Sequence, residues 1–275
     1  MPCITPLKIK NKRKTSSDYA YNVVPCGKCP QCQQKRVNSW IFRLLQEEKR
    51  HVTALFVTLT YTPENAPRSD AGLLTLSKSD CQNFLKRLRK NTGCKTIKYY
   101  LAGEYGGQTR RPHYHAIMFD VTEQQILENW QHGAIHVGNV TQQSIGYCAK
   151  YINKGKIIPM WNGDDRVPEF SLMSKKMGAN YLTPQQIKYH KDGKRNYVTT
   201  HGGHKQSLPR YYRDKIFEEH EIEYFGNLNK EIRENQYVDE VNRAGSEQNY
   251  HRIRFERIRS AIKSNQLNAK NRNKI

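Results

Sequence analysis

Residues 111–120 read RPHYHAIMFD, so two histidines one residue apart stand at the head of an apolar run. Successive side chains of a β-strand point to opposite faces, so His113 and His115 would share one face and Tyr114 would take the other. The preceding stretch KYYLAGEY (98–105) has the composition of a strand, and GGQTRRP between the two is typical of a turn. The two segments therefore predict an antiparallel hairpin.

The pattern on either side of the hairpin alternates between helices and strands. Hairpin-joined strands with helices to one side indicate the α+β class, with an antiparallel central sheet flanked by helices. Residues 161–210 are loop-rich, and a helical pattern returns from about 210 to 262. The other expected elements are a helix at about 30–50, a strand at 54–61, a helix from Ser77, a helix capped by Thr122 with Gln125 three residues on, a strand at 135–140 and a helix ending at Gly155.

Three segments follow from these patterns. Residues 1–35 form a basic N-terminal segment with a cysteine cluster, and residues 36–160 hold the predicted sheet. Residues 161–275 form a loop-rich and then helical, basic C-terminal region that either packs on the core or extends it.

The chain is strongly basic, with 46 Lys and Arg against 25 Asp and Glu in 275 residues. This balance indicates a polyanionic partner, most often nucleic acid, although charge can also serve only to keep a chain in solution. No stretch approaches the roughly 18 apolar residues of a transmembrane helix, so no membrane partner is expected. The odd number of cysteines and the absence of an apolar leader favour a reducing cytoplasm.

The histidine pair suggests a divalent metal site. Both imidazoles can reach one ion from the same strand face, and Glu104 on the predicted partner strand lies nine residues before His113. Two imidazoles and a carboxylate leave open positions on the ion, which suits Mg²⁺ or Mn²⁺ holding a phosphate. Alternatively, His113 and His115 are polar residues at the start of a strand with no ligand role.

The stretch YCAKY (147–151) lies in a predicted helix. Residues three and four positions apart share a helix face, so Tyr147, Lys150 and Tyr151 would present two phenols and an ammonium together. A phenol becomes nucleophilic when a nearby cation favours the phenolate or a metal activates the phosphorus. Alternatively, the helix is amphipathic and buries its tyrosine rings in the core.

Three stretches in order, FVTLTY (56–61), GEYG…RPHYHAIMF and YCAKY, resemble the three motifs of the HUH endonucleases, which are rolling-circle replication initiators and relaxases. The resemblance implies an RRM-like nuclease core within 36–160. It implies that His113, His115 and Glu104 bind the metal, with Tyr147 as the nucleophile and Lys150 beside it.

Within that family, the chain most resembles the replication initiators of gokushovirus-type microviruses, which are related to the phiX-type gene A protein. Tyr147 and Tyr151 have the double-tyrosine spacing of microvirus initiators, and the flanks VPCGKCPQCQQKRVNSWIFRL and LPRYYRDKIF extend the match to roughly 23–217. It implies nicking and joining of single-stranded or nicked phage origin DNA through a 5′-phosphotyrosine, in the host cell cytoplasm. Because the chain has no G-x-x-x-x-G-K-[ST] motif, a host helicase is expected to unwind the DNA. The free 3′-OH that the resemblance implies is expected to be extended by a host DNA polymerase.

The cysteine cluster is C-x-x-C-x-x-C, formed by Cys26, Cys29 and Cys32. These three thiols suit a structural Zn²⁺ site, for which Cys3 is the candidate fourth ligand. Alternatively, they lie in a turn that leads into the first helix.

Arg110 and Arg111 precede the histidine strand and are candidates for contacts to DNA phosphates, or else form a solvated charged surface. Two other functions compete with the nicking enzyme. One is a non-enzymatic, zinc-stabilised DNA-binding protein, and the other is a metallophosphoesterase that uses activated water.

Overall fold

The computed structural model describes residues 3–10, 21–94, 96–150 and 158–272, without the side chains of 21, 22, 150, 201 and 265–272. The strands in these residues are β1 (Leu7–Lys10), β2 (Tyr21–Val24), β3 (Ala54–Thr60), β4 (Tyr99–Tyr105), β5 (Pro112–Phe119), β6 (Ile135–Asn139), β7 (Phe170–Met173), β8 (Tyr197–Thr199) and β9 (Lys205–Ser207). The helices are α1 (Pro30–Glu48), α2 (Lys78–Thr92), α3 (Glu123–Asn129), α4 (Gln142–Lys150), α5 (Pro184–Asp192), α6 (Arg210–Ile216), α7 (Glu219–Ala244) and α8 (Glu247–Arg272).

The chain divides into two compact units. One unit is Arg36–Thr183, and the other combines Met1–Lys35 with Pro184–Ile275.

The unit Arg36–Thr183 is built on one five-stranded sheet in the order β6-β3-β5-β4-β7. Every neighbouring pair is antiparallel, which confirms the predicted α+β class with an antiparallel central sheet. The histidine strand β5 is the middle strand of this sheet. The edge strand β7 comes from the stretch that looked loop-rich, because four residues between turns give too short a pattern to detect.

Helices cover both faces of this sheet, so the expectation of helices on one side is wrong. The alternation of side chains along β3, β4 and β5 produces two separate cores, since both faces of the middle strands are apolar. The first core packs the sheet against Phe84, Leu85 and Leu88 of α2 and Ile126 of α3. The second packs Tyr100, Ala102 and Ile117 against Leu44 of α1 and Ile145 and Cys148 of α4.

Local sequence signals define several of these elements. The Thr122 side chain accepts from the Gln125 amide, and the Gln125 side chain accepts from the Thr122 amide, which confirms the predicted capping box of α3. The Ser77 hydroxyl caps α2 at the predicted start. Packing favours glycine at position 103, because a Cβ there would lie 3.1 Å from the ring of Tyr114 on β5, closer than an ordinary van der Waals contact.

The other unit contains the two-stranded sheets β1-β2 and β8-β9 together with α5, α6, α7 and α8. The helices α7 and α8 meet at Gly245, whose left-handed φ of 74° reverses the chain. The predicted return of a helical pattern after residue 210 is confirmed by α6 to α8. Within the described ranges, no helix is both long enough and apolar enough to cross a bilayer.

Candidate active site

Strand register brings the three predicted metal ligands together. Glu104 on β4 stands directly opposite His113 on β5, and His115 follows two residues later on the same face. Nε2 of His113 lies 2.8 Å from Oε1 of Glu104, and Nε2 of His115 lies 3.2 Å from the same oxygen. Two imidazole nitrogens and one carboxylate oxygen therefore converge on one point at the end of the hairpin.

The far nitrogen of each imidazole is held by a second group. Nδ1 of His113 lies 3.2 Å from the Arg111 carbonyl oxygen, which can accept the Nδ1 proton of the tautomer whose Nε2 is left to bind a cation. Nδ1 of His115 lies 3.0 Å from the Thr58 hydroxyl on β3, and the His115 ring stacks on Phe56. Such contacts at the outer nitrogen fix the ring orientation and leave Nε2 to serve as a ligand.

The donor set fits a six-coordinate divalent cation. The three ligand atoms lie within 4.8 Å of one another. Adjacent ligands of an octahedral ion with bonds of about 2.1 Å are about 3.0 Å apart, close to the two measured separations. Glu104 is only 5% exposed, and a buried carboxylate needs positive charge close by.

Helix α4 carries Tyr147 to this cluster. Ile145 and Cys148 are fully buried in the core beneath the sheet, so the opposite edge of the helix is left to the tyrosine. The Tyr147 hydroxyl lies 3.4 Å from Oε1 of Glu104 and 3.5 Å from Nε2 of His115. Tyr147 is 39% exposed, so its phenol borders the ligands and still faces solvent.

The thiol next to this tyrosine is unsuited to chemistry. Cys148 is fully buried, and burial, followed by the negative charge of Glu104, raises the pKa of its thiol far above the usual range. A thiol held in the neutral form is a poor nucleophile. Among the described side chains of α4, the phenol of Tyr147 is therefore the candidate for chemistry at the cluster.

Two other predicted catalytic groups cannot be located. Tyr151 lies outside the described residues, and so does the side chain of Lys150, although its backbone ends α4. Their proposed roles stay predictions.

Arg110 and Arg111 lie in the β4–β5 turn, where Arg110 has a left-handed φ of 53°. Nη2 of Arg111 donates to the Tyr61 carbonyl at 2.7 Å, so this guanidinium also ties the turn to the end of β3.

The cysteine cluster lies in the other unit. The Sγ atoms of Cys3, Cys26, Cys29 and Cys32 all lie within 4.8 Å of one another. Each of the four is a free cysteine. The hydrogen bond from the Thr5 side chain, followed by those from the Cys29 and Lys28 amides, lowers the pKa of Cys26 to about 5. The four predicted candidates are thus brought together.

Thr58 is the site residue that the sequence interpretation missed. No site residue is predicted within FVTLTY, yet its Thr58 hydroxyl lies 3.0 Å from Nδ1 of His115. Register places Thr58 opposite His115, on the face that β3 shares with the two imidazoles. The signal available in the sequence was the pair of hydroxyls at alternate positions, Thr58 and Thr60, in an otherwise apolar strand. This alternation marks one face of the strand as polar near its C-terminal end.

A known protein family matches the part of the chain that contains this cluster. Residues 54–156, which contain Glu104, His113, His115 and Tyr147, match the family "Replication-associated protein ORF2/G2P". No solved structure matches the chain.

Three relatives extend the likeness beyond these residues. The chain is 28% identical over 250 residues to replication-associated protein VP4 of Bdellovibrio phage phiMH2K, covering 78% of this chain and 76% of the relative. It is 27% identical over 275 residues to replication-associated protein ORF2 of Spiroplasma virus 4, covering 85% and 86%. It is 25% identical over 244 residues to replication-associated protein ORF4 of Chlamydia phage 1, covering 76% and 59%. These relatives confirm the resemblance to microvirus-type replication proteins.

Proposed function

We propose that this chain initiates rolling-circle replication of a small single-stranded DNA phage, by nicking one strand at the phage origin and later rejoining it. The relatives are named as replication-associated proteins of phages, which supports a role in starting replication. The observation that carries the mechanism is the Tyr147 hydroxyl within 3.5 Å of two metal-ligand candidates. The net charge of +21 favours binding to a polyanion such as DNA.

Glu104, His113 and His115 are the residues that would hold Mg²⁺ or Mn²⁺. A divalent ion bound there would polarise the scissile phosphate and offset the charge on the leaving oxygen. Thr58 and the Arg111 carbonyl hold the two rings, so the ligand set is organised before DNA arrives. The buried carboxylate of Glu104 adds the negative charge that retains a cation at this end of the sheet.

Tyr147 acts as the nucleophile in this proposal. A phenol has an ordinary pKa of about 10 and attacks slowly at neutral pH unless its surroundings favour the phenolate. The phenol oxygen bonds to phosphorus while the bond between phosphorus and the 3′ oxygen breaks. The phenol proton leaves to solvent, and the 3′ oxygen takes up a proton to become a free 3′-OH. The 5′ phosphate stays on Tyr147.

The covalent link makes rejoining chemically simple. When a 3′-OH attacks the phosphotyrosine, the phosphodiester is restored and the phenol is released, so no ATP is needed. Tyr151 stands four residues after Tyr147 and would serve as the second nucleophile, with Lys150 favouring the phenolate or steadying the phosphate. In this account a host helicase opens the duplex and a host DNA polymerase extends the free 3′-OH.

A denaturing gel tests the proposal. Labelled single strands that tile the encoding genome are mixed with the chain and Mn²⁺, and a labelled strand that migrates with the protein is the expected product. Tyr147→Phe should reduce this adduct strongly, and the change at Tyr147 and Tyr151 together should abolish it. Tyr224→Phe, at a tyrosine 47% exposed in the other unit, is the matched control.

The other outcomes discriminate among the rival functions. Metal-dependent cleavage without an adduct would point to activated water and overturn the role of Tyr147. Binding without cleavage of any strand, in either metal, would leave a DNA-binding protein as the better account.

A further inference from the structure

We infer that Cys3, Cys26, Cys29 and Cys32 form a closed four-thiolate zinc site that fastens the β1–β2 hairpin to the beginning of α1. The site is separate from the proposed catalytic ligands, which belong to the other unit. It is proposed as a structural site, with no part in the nicking reaction.

The sulfur positions match tetrahedral zinc. Sγ of Cys3 lies 3.7 Å from Sγ of Cys29, and Sγ of Cys26 lies 4.0 Å from Sγ of Cys32. With Zn–S bonds of about 2.3 Å, a tetrahedron separates its sulfurs by about 3.8 Å. These separations are far beyond the roughly 2.05 Å of a disulfide bond, and all four cysteines are free.

Backbone amides surround the sulfurs in the manner of a metal site. The amides of Lys28 and Cys29 donate to Sγ of Cys26 at 3.4 and 3.2 Å, and the amide of Cys26 donates to Sγ of Cys3 at 3.3 Å. Such donors stabilise the negative charge of metal-bound thiolates and orient them. Four cysteines with no open position are typical of structural rather than catalytic zinc.

A bound zinc ion would stabilise the β1–β2 hairpin. All four residues of β1 are exposed, and Val23 of β2 is 45% exposed, so the described side chains of the two strands bury little apolar surface. An isolated two-stranded hairpin is marginally stable in water. Cys3 precedes β1 and Cys26 follows β2, so an ion at the cluster closes the open end of the hairpin. Cys32 lies in the first turn of α1, which ties the hairpin to that helix.

The length of the closed segment explains why one ion is effective. Cys3 and Cys26 are 23 residues apart, and a cross-link across such a segment removes conformational freedom from the unfolded chain. The free energy of zinc binding then contributes directly to folding of the N-terminal segment.

Metal content and X-ray absorption of the full-length protein test the inference. The protein is expected to purify with one zinc per chain, whose absorption fine structure reports four sulfur neighbours at about 2.3 Å. Cys3→Ser should lower the zinc content. Any zinc that remains should have three sulfur neighbours, with or without an added oxygen neighbour. Cys94→Ser removes an exposed cysteine outside the cluster and should retain one zinc with four sulfurs.

Two results would overturn the inference. One is full-length protein that neither contains nor takes up zinc, and the other is bound zinc with nitrogen and oxygen neighbours in place of sulfur. If Cys3→Ser does not fold, the spectrum of the unaltered protein decides alone. Zinc retained in Glu104→Gln would separate this site from the catalytic ligands, so either proposal can fail without the other.

Discussion

The Tyr147 hydroxyl lies 3.4 Å from Oε1 of Glu104, although the two residues are 43 positions apart in the chain. One is on a helix and the other on an inner strand of the sheet, and burial of Ile145 and Cys148 holds the two elements together. Full burial of a side chain such as Ile145 contributes about 1.5–3 kcal/mol, so this placement is maintained by the core and not by the contact itself.

Removing a metal ligand should weaken cation binding. Glu104→Gln replaces the carboxylate that both imidazoles approach, and we expect Mn²⁺ affinity to fall by more than the ~10–100-fold typical of a lost outer contact. Calorimetric titration with Mn²⁺ measures the change. His220→Ala, at a side chain 76% exposed in the other unit, should bind Mn²⁺ as the unaltered chain does. Unchanged affinity in Glu104→Gln would contradict the assignment.

Thr58 should act through His115 and not through DNA. Thr58→Val keeps the shape of the side chain and removes the hydroxyl beside Nδ1, so Mn²⁺ affinity should fall about 10–100-fold. Adduct formation at saturating Mn²⁺ should recover, which a role in catalysis itself would not allow. Thr92→Val deletes a hydroxyl that donates to the Leu88 carbonyl in α2 and provides the control. Equal affinities in the two variants would remove Thr58 from the site.

Tyr114 should matter for stability and not for chemistry. Its buried hydroxyl lies 2.8 Å from the Tyr61 hydroxyl, accepts from the Ser77 amide and donates to the Ser77 carbonyl. Tyr114→Phe removes these three contacts inside the core, so the free energy of unfolding should fall by about 1–3 kcal/mol. Urea denaturation measures it, with the exposed Tyr224→Phe expected to change it by less than about 0.5 kcal/mol. A loss of adduct from folded Tyr114→Phe would contradict a purely structural role.

The ion pair between Asp164 and Arg166 should make the stability of the fold depend on pH. Two hydrogen bonds of 2.8 Å from the Arg166 guanidinium hold the pKa of the Asp164 carboxyl below its usual range. The carboxyl of an unfolded chain has a pKa of about 3.9, so the ionised Asp164 stabilises the folded chain at any pH above that. This stabilisation is lost as the pH falls through the lower pKa of the folded state. Asp164→Asn should therefore melt at a lower temperature at neutral pH, with a difference that shrinks below about pH 4. The exposed Asp239→Asn is the control, and a difference that is constant with pH would contradict the assignment.

Much of the fold follows from local patterns. Period-two alternation and a glycine-containing turn predicted the hairpin, and the Thr122–Gln125 capping box fixed the start of α3, because both signals depend on residues close in sequence. The strand β7 could not be predicted in the same way, because its four residues gain their pairing only from β4.

The sequence was sufficient to predict which candidate metal-binding residues come together, but not which residues contact and orient them. Two histidines with period two and a glutamate across a short hairpin specify each other's positions through strand register. The contact of Thr58 with His115 spans 57 residues and depends on which strand pairs with β5, and no local pattern encodes that choice. The closure of the cysteine cluster by Cys3 likewise depends on the pairing of β1 with β2.

Mass spectrometry of the protein–DNA adduct identifies the residue that is joined to DNA. The adduct formed in Mn²⁺ is digested with nuclease and protease, and the peptide that retains a nucleotide is sequenced. We expect a phosphotyrosyl bond at Tyr147, with a second population at Tyr151. A nucleotide on any other residue, or cleaved DNA with no modified peptide, would contradict it.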